Sequence, residues 1–210
     1  MNLAQSLATG IQALGLTIDA QAQAAMLQYL GLLEKWNKAY NLTAVRDPQK
    51  MLTHHLLDSL AIMPHVKGPY ILDVGSGAGL PGIPLALARP QWHLTLLDAN
   101  QKKTIFLRQV AIELKMPQVT VVCDRTESWR SPIQFQTIVS RAYSDLGDFV
   151  KGAGRLCAPE GLMLAMKGVY PEGELQQLQL QALPFLVRQT VALTVPQLVA
   201  DRHAVLLEPV

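Results

Sequence analysis

The chain has 210 residues, of which half are apolar and 16% are charged, and its formal net charge is +2. This length fits one domain, or one domain with an added helical extension, and the composition excludes a long disordered tail. The charge is too small for nucleic-acid binding by bulk charge alone, so such a partner would need a local basic patch.

The first apolar segment has no early Lys or Arg, and Gln and Thr interrupt it. It therefore resembles neither a signal peptide nor a membrane span, and we expect a cytoplasmic protein without a membrane partner. Over residues 2–64 apolar residues recur every three or four positions, which predicts about three helices. Asp19 is placed to cap the second helix, and Asp47 with Pro48 to begin the third. We predict an N-terminal helical extension, residues 1–66, packed on a second domain, residues 67–210.

After Pro69 short apolar runs alternate with helical segments, which is typical of an α/β fold with a buried parallel sheet. The last two strands have no helix between them and are expected to form an antiparallel hairpin at the sheet edge. The predicted strands are 70–75, 93–99, 119–124, 137–142, 161–167, 185–195 and 202–210, and the predicted helices between them are 81–89, 101–115 and 146–158.

The first strand runs into a glycine-rich loop, with Gly75, Gly77 and Gly79 at every second position. Such a loop at a strand's carboxyl end allows the backbone to approach a nucleoside closely. Leu80 stands where the nicotinamide fingerprint has its third glycine, and Pro81 and Pro84 restrict the N–H groups that would hold a pyrophosphate. The loop favours a ligand without phosphates and disfavours a nicotinamide oxidoreductase.

Two acidic residues follow the next strands. Asp98 ends the second strand, about twenty residues after the loop, where an acid binds the ribose hydroxyls; capping of the next helix is the alternative. Glu127, with the backbone at Thr126, follows the third strand and could meet an adenine, or be a solvated turn residue. A phosphate-free adenosine ligand indicates S-adenosylmethionine.

Five segments in this order resemble the glucose-inhibited division protein B family: KWNKAYNLTAVRD, HHLLDSL, LDVGSGAGLPGIPLA, LLDANQKKTIFLRQV and VSRAY. The resemblance, which runs from about residue 25 to the end, implies a bacterial S-adenosylmethionine-dependent methyltransferase that modifies guanine N7 in 16S ribosomal RNA. It implies a Rossmann-like class I sheet of seven strands, the last antiparallel, behind an N-terminal helical extension. The family's cofactor contacts correspond here to Gly75, Leu80, Thr126, Glu127 and Arg141.

Guanine N7 has an in-plane lone pair, so its methylation needs positioning rather than a general base. We expect Arg141 to serve as the catalytic positioning residue, by binding the cofactor carboxylate or guanine O6; an ion pair with Asp145 or Asp124 is the alternative. The Pro-Pro tetrad of exocyclic-amine methyltransferases is absent after the fourth strand. Cys123 and Cys157 are expected to be inert core thiols rather than nucleophiles or zinc ligands.

For RNA contact the basic candidates are Lys35, Lys38, Arg46, Lys50, Lys102, Lys103 and Arg108, with His55 added from the third helix. Trp36 and Tyr40 could stack on a base, although their spacing favours core packing. His54 and Asp58 lie one helical turn apart, but too few potential ligands surround them for a metal site. We expect one histidine and Asp58 to form a hydrogen-bonded hinge between extension and sheet.

Two other functions remain open: a small-molecule methyltransferase on the same fold, and a non-catalytic nucleoside-binding module. The basic loop at 37–46 disfavours the first, and the intact glycine loop with Asp98 disfavours the second. We also expect that the partner is 16S rRNA or the 30S particle and that the protein is a monomer.

Overall fold

The computed structural model describes residues 2–141, 143 and 145–210. The N-terminal part is helical, as predicted, with α1 at Leu3–Ala13, α2 at Ala20–Tyr40, α3 at Pro48–Met51, a π-helix at Leu52–Leu57, α4 at Asp58–Leu60 and a 3-10 turn at Met63–His65. None of the described helices is both long and apolar enough to cross a membrane.

Side-chain caps fix where these helices begin. The Asp19 carboxylate accepts a hydrogen bond from Ala22 N at 2.7 Å, and Asp47 accepts one from Lys50 N at 2.8 Å. Both predicted caps are confirmed. The third helix widens into the π-helix at residues 52–57 before it continues as α4, and such widening often occurs where a helix serves a functional site.

The sheet has seven strands in the order β3-β2-β1-β4-β5-β7-β6. The first five are parallel, and β7 runs antiparallel to both β5 and β6. The predicted fold is therefore confirmed, as is the antiparallel hairpin of the last two strands, with β6 at the sheet edge. The strands are β1 Tyr70–Val74, β2 His93–Asp98, β3 Val119–Cys123, β4 Phe135–Ser140, β5 Cys157–Lys167, β6 Phe185–Ala192 and β7 His203–Pro209.

The helices that connect the strands are α5 Gly82–Ala88, α6 Gln101–Glu113, α7 Leu146–Ala153 and α8 Glu172–Leu180. The sequence pattern did not predict α8. The predicted helix 146–158 included Cys157, and this part of the prediction was wrong, because Cys157 begins β5. Cys123 is exposed and not in the core, whereas Cys157 is buried, and burial raises the pKa of its thiol to about 11.

The extension shares a continuous hydrophobic core with one face of the sheet, and α2 packs against α5 and α6. A second core, around Phe149 of α7, lies on the other face. Strand order reverses between β1 and β4, and at such a switch point the carboxyl ends of parallel strands open a crevice for a ligand.

Candidate functional site

The segment Gly75–Leu80, here called the glycine loop, leaves the sheet at this switch point. Gly75, Gly77 and Gly79 have φ angles of +68°, +58° and +92°, a region that residues with a side chain rarely adopt. A Cβ on Gly79 would lie 2.6 Å from Ile83 Cγ1 and 2.8 Å from Leu107 Cδ2, whereas nothing lies within 4 Å of one built on Gly75. The loop is therefore packed on its inner side at Gly79 and open at Gly75.

Most N–H groups of the glycine loop are already used. The N–H groups of Gly75 and Ser76 donate to the Leu97 carbonyl, and those of Gly79 and Leu80 donate to the Ser76 carbonyl. A loop whose donors are engaged in this way offers few of them to a pyrophosphate. The side chain of Leu80 is buried, so only its backbone is available to a ligand.

Asp98 closes the glycine loop from the neighbouring strand. One of its carboxylate oxygens accepts from Gly77 N at 2.9 Å, and the other from Asn100 N at 2.8 Å. The alternative that Asp98 caps the next helix was wrong, because Asn100 caps α6 by accepting from Lys102 N at 2.9 Å. Ribose binding by Asp98 stays a prediction.

Asp73 is a buried acid that the sequence pattern did not single out. It lies in β1, its Oδ2 accepts from Gly82 N at 2.9 Å, and its Oδ1 has no hydrogen-bond partner among the described residues. Burial raises the pKa of Asp73 to about 7, although the Gly82 hydrogen bond and the Arg141 charge both oppose the rise. In the sequence, the position of Asp73 two residues before Gly75 could have identified it as a residue of the site.

Tyr29 connects the extension to the glycine loop. This side chain of α2 is fully buried, and its hydroxyl donates to the Ala78 carbonyl at 2.7 Å. Burial raises the pKa of Tyr29 far above its ordinary value, so the phenol remains a hydrogen-bond donor at all physiological pH values. Helical periodicity identified Tyr29 only as a core residue, since the contact spans 49 positions.

The turn after β3 carries Thr126 and Glu127. The Thr126 carbonyl accepts from Arg155 at 2.7 Å, and the Glu127 carboxylate accepts from the Tyr143 hydroxyl at 3.3 Å. Neighbouring segments thus hold the turn at the carboxyl edge of the sheet. Adenine contact by these two residues stays a prediction.

Arg141 directly follows β4 and binds the extension. Its Nη1 donates to the His54 carbonyl at 3.0 Å and lies 3.6 Å from Asp58 Oδ2. The alternative ion pair with Asp145 or Asp124 was wrong. Because the Arg141 charge acts on both Asp73 and Tyr29, its guanidinium lies within electrostatic reach of the glycine loop.

Asp58 is nearly inaccessible and binds a second arginine, since Arg202 Nε donates to its Oδ1 at 2.8 Å. The predicted hinge does join extension and sheet, but its partners are arginines and not a histidine. The Nε2 atom of His55 instead lies 3.0 Å from Thr43 Oγ1. Arg202 had no recognisable signal, because 144 positions separate it from Asp58.

His55 is only 3% exposed, and burial, with a smaller contribution from the Arg141 charge, lowers its pKa to about 4. The ring is therefore neutral at pH 7 and does not act as a cation in this conformation; RNA contact by His55 stays a prediction. His54 Nδ1 lies 3.0 Å from the Lys50 carbonyl.

A cavity of about 420 Å³, here called the seam cavity, opens where the extension meets the sheet. It is lined by the loop at 43–45, by the π-helix with α4, by the segments at the carboxyl ends of β4, β5 and β6, and by the beginning of β7. The lining residues are Thr43, Ala44, Val45, His54, His55, Asp58, Arg141, Met166, Lys167, Gly168, Leu193, Arg202 and His203.

The basic residues predicted to contact RNA lie in two places. Lys38 and Arg46 line one cavity of about 200 Å³ on the extension. Lys102 and Lys103 begin α6, and Lys103 Nζ lies 3.9 Å from Asp98 Oδ2. RNA contact by these residues stays a prediction.

Trp36 packs between two other rings. Its ring centroid lies 5.7 Å from that of Phe106 and 5.2 Å from that of the more exposed Tyr40, on which it stacks. Since Trp36 is also partly buried against the core, packing describes it better than a free surface for base stacking.

The residues present fit S-adenosylmethionine. The open space over Gly75 allows a ligand to approach the backbone, and Asp73 Oδ1 is a buried acceptor without a hydrogen-bond partner among the described residues. Within the described part of the chain no three His, Cys, Asp or Glu side chains are grouped to hold a metal.

Solved methyltransferases share this fold. An S-adenosylmethionine-dependent methyltransferase from Aquifex aeolicus superposes with a TM-score of 0.60 at 17% identity, over 84% of this chain and 97% of that one. A glycopeptide N-methyltransferase complexed with S-adenosyl-L-homocysteine gives a TM-score of 0.62 at 13% identity, over 74% and 90%. The sheet order and the glycine loop thus belong to the fold that these methyltransferases share.

The chain belongs to the rRNA small subunit methyltransferase G (GidB) family, whose model matches residues 22–205. Ribosomal RNA small subunit methyltransferase G of Nitrosospira multiformis is 53% identical over 99% of this chain and 98% of its own, and that of Laribacter hongkongensis is 49% identical over 99% of both. The family resemblance read from the five segments is confirmed.

Proposed function

We propose that the protein transfers the methyl group of S-adenosylmethionine to N7 of a guanine in 16S ribosomal RNA. The observation that carries this proposal is the likeness, near half identity over almost the whole chain, to proteins named ribosomal RNA small subunit methyltransferase G. The glycine loop and Arg141, at one edge of the sheet, agree with it.

The chemistry asks little of the protein beyond positioning. The bound cofactor supplies an electrophilic methyl group on a sulfonium. The N7 lone pair forms the new C–N bond as the C–S bond breaks, and that electron pair returns to sulfur. No proton leaves N7, so no general base is needed, and in-line orientation can contribute about 7 to 11 kcal/mol.

Each residue of the site has a role consistent with this reaction. Asp98 holds Gly77 N and presents its remaining lone pairs to the ribose hydroxyls. Asp73 holds Gly82 N just after the glycine loop, and Arg141 would orient the reacting groups near that loop.

The partner is small-subunit rRNA, alone or within the 30S particle, and the protein acts in the cytoplasm as a monomer. The methyl-transfer experiment below decides between the two forms of the RNA substrate.

The test is transfer of labelled methyl from S-adenosylmethionine to purified 16S rRNA and to 30S particles, followed by chemical cleavage at N7-methylguanine. We compare wild type with Asp98→Ala and with Glu113→Ala, an exposed acid at the far end of α6. Loss of a charge-assisted hydrogen bond should weaken cofactor binding by about tenfold to a hundredfold in Asp98→Ala. Glu113→Ala should match wild type.

Label at N7 of guanine in either substrate supports the proposal and identifies the substrate form. Cofactor binding without RNA label would contradict it and indicate a small-molecule methyltransferase. Absence of cofactor binding would indicate a non-catalytic module.

A further inference from the structure

The seam cavity lies at the same sheet edge as the glycine loop, and none of its lining residues belongs to that loop. Arg141 follows β4, Met166 to Gly168 end β5, and His203 begins the antiparallel β7, so these lining residues share the sheet edge from which the glycine loop emerges. A volume of about 420 Å³ falls within the range of natural ligand pockets.

The described lining is basic. It contains Arg141, Lys167 and Arg202, against the single carboxylate of Asp58. That carboxylate already binds both arginines. The net charge of the lining is therefore positive, as a site for a phosphate-bearing ligand requires.

The basic side chains have N–H groups beyond those that their described contacts use. A guanidinium has five N–H donors and an ammonium has three. The described contacts of Arg202 use its Nε, toward Asp58, and its Nη1, toward the Asp201 carbonyl. Lys167 Nζ has one described partner, Glu174 Oε2 at 2.8 Å. Ion pairing thus holds the two side chains in place and leaves N–H groups for a ligand.

The part of the lining formed by His55 and the loop at 43–45 is held by hydrogen bonds and carries no charged side chain. His55 is buried and neutral and is linked to Thr43, whose N–H donates to Asn37 Oδ1 at 2.9 Å. These contacts tie the segment around Ala44 to α2. A preformed wall lowers the entropic cost of binding.

We propose that the seam cavity binds the acceptor nucleotide of the RNA, extruded from its neighbours, with its phosphate on Arg202 and Lys167 and its base directed toward Arg141 and the cofactor. The inference rests on the proposed function. Recognition of a splayed nucleotide by a pocket is the usual way in which proteins read single-stranded RNA and reach one base.

The reaction restricts how Arg141 can contact such a base. A bidentate arginine contact to guanine uses O6 and N7 together. The same contact here would cover the atom that must attack the methyl group, so Arg141 reaches O6 alone. Its ion pair with Asp58 restricts the guanidinium and favours this one-sided contact.

The test compares matched charge losses inside and outside the seam cavity. Arg202→Gln and Lys167→Gln remove lining cations, and Arg188→Gln and Lys67→Gln remove cations that pair with Glu208 at the other end of β7. Filter binding of 16S rRNA to each protein, loaded with S-adenosylhomocysteine, is measured from low to physiological salt. Methyl transfer gives KM for RNA, and calorimetry gives Kd for S-adenosylmethionine.

Each lining variant should weaken RNA binding about tenfold and lower the slope of log K against log salt by about 0.7 to 0.9, because one phosphate contact is lost. Kd for S-adenosylmethionine and the control variants should remain at wild-type values. Arg202→Lys should restore much of the salt slope, since it keeps the charge. Lys167→Gln leaves the Asp58 ion pairs intact and guards against a folding defect in Arg202→Gln.

Lining variants with the same salt slope as the controls would overturn the proposal, whether or not the protein methylates RNA. A changed slope without label at guanine N7 would instead retain the seam cavity as an RNA site and refute the proposed function.

Discussion

The glycine loop and the seam cavity lie at one edge of the same sheet but are stabilised differently. Backbone geometry, buried apolar side chains and hydrogen bonds to main-chain N–H groups hold the glycine loop. Ion pairs between segments far apart in the chain hold the seam cavity, with Asp58 at their centre. A site for one constant cofactor can be rigid and nearly closed, whereas a site for RNA needs charge, and charge near a protein interior must be paired.

The largest effect should come from removing the centre of the ion-pair network. Asp58→Ala leaves Arg141 and Arg202 without their carboxylate, and we expect the free energy of unfolding to fall by about 3 kcal/mol, the lower end of the range for a broken buried pair because both arginines are partly exposed. Urea denaturation measures the change.

Glu208 is the matched control for Asp58, because it also pairs with two cations, Lys67 and Arg188, but at the surface. Glu208→Ala should change stability little, since solvent screens exposed pairs. Equal losses of unfolding free energy in the two variants would show that the buried carboxylate of Asp58 stabilises the protein no more than an exposed one.

The next effect should come from the inner side of the glycine loop. Gly79→Ala places a Cβ against Ile83 and Leu107 at a positive φ, and we expect a loss of about 2 to 3 kcal/mol from strain and overpacking, together with loss of cofactor binding. Thermal unfolding and calorimetry measure the two effects.

Gly31→Ala is the control for this change. Gly31 lies within α2, and no atom lies within 4 Å of the position that a Cβ would take there, so alanine should stabilise the helix by up to about 1 kcal/mol. A Gly79→Ala protein that binds the cofactor normally would mean that the glycine loop tolerates a side chain on its packed side.

The same contrast explains what the sequence could predict. The glycine loop is one contiguous segment, and Asp98 follows it at a spacing set by one β-α-β unit, so both could be predicted from local pattern. The strands and most helices could likewise be predicted, because local sequence pattern determines them. The short polar helix α8, with few buried residues, gave no periodic signal.

The seam cavity depends on tertiary contacts that no local pattern carries. Asp58 meets Arg141 and Arg202 across long stretches of chain, and the sequence allowed several partners for each. Tyr29 had the spacing of an ordinary core residue, and nothing in that spacing indicates a hydroxyl bonded to Ala78. Exposure of Cys123 likewise depends on what covers β3 and not on its apolar neighbours.

A smaller effect should show that the extension supports the glycine loop. Tyr29→Phe removes the hydroxyl that donates to Ala78 and leaves that carbonyl buried without its partner, at a cost of about 1 to 2 kcal/mol. Kd for S-adenosylmethionine should rise, while the salt slope of RNA binding stays constant. Tyr40→Phe, at the exposed C-terminal end of the same helix, is the control. A changed salt slope in Tyr29→Phe alone would contradict the separation of the two sites.

The smallest net effect on the wild-type protein comes from the opposite pH dependences of the two sites. Burial raises the pKa of Asp73 to about 7, so its contribution to stability is full below the unfolded pKa near 4 and is lost as pH rises toward 7. Burial lowers the pKa of His55 to about 4, so its contribution is full above the unfolded pKa near 6.5 and is lost as pH falls toward 4. The two slopes oppose each other between about pH 4.5 and 6.5, each by at most about 1.4 kcal/mol per pH unit.

Wild-type stability should therefore vary little across this window. A variant that lacks one of the two groups should show the pH dependence that the other group causes. Urea denaturation from about pH 4.5 to 8 should show Asp73→Asn losing stability as pH falls, because only the His55 contribution remains. His55→Gln should lose stability as pH rises from about 4.5 to 7, because only the Asp73 contribution remains. Parallel profiles of unfolding free energy against pH in the two variants would mean that Asp73 and His55 do not titrate independently. Both groups would then belong to one coupled network through Arg141, whose charge acts on each of them.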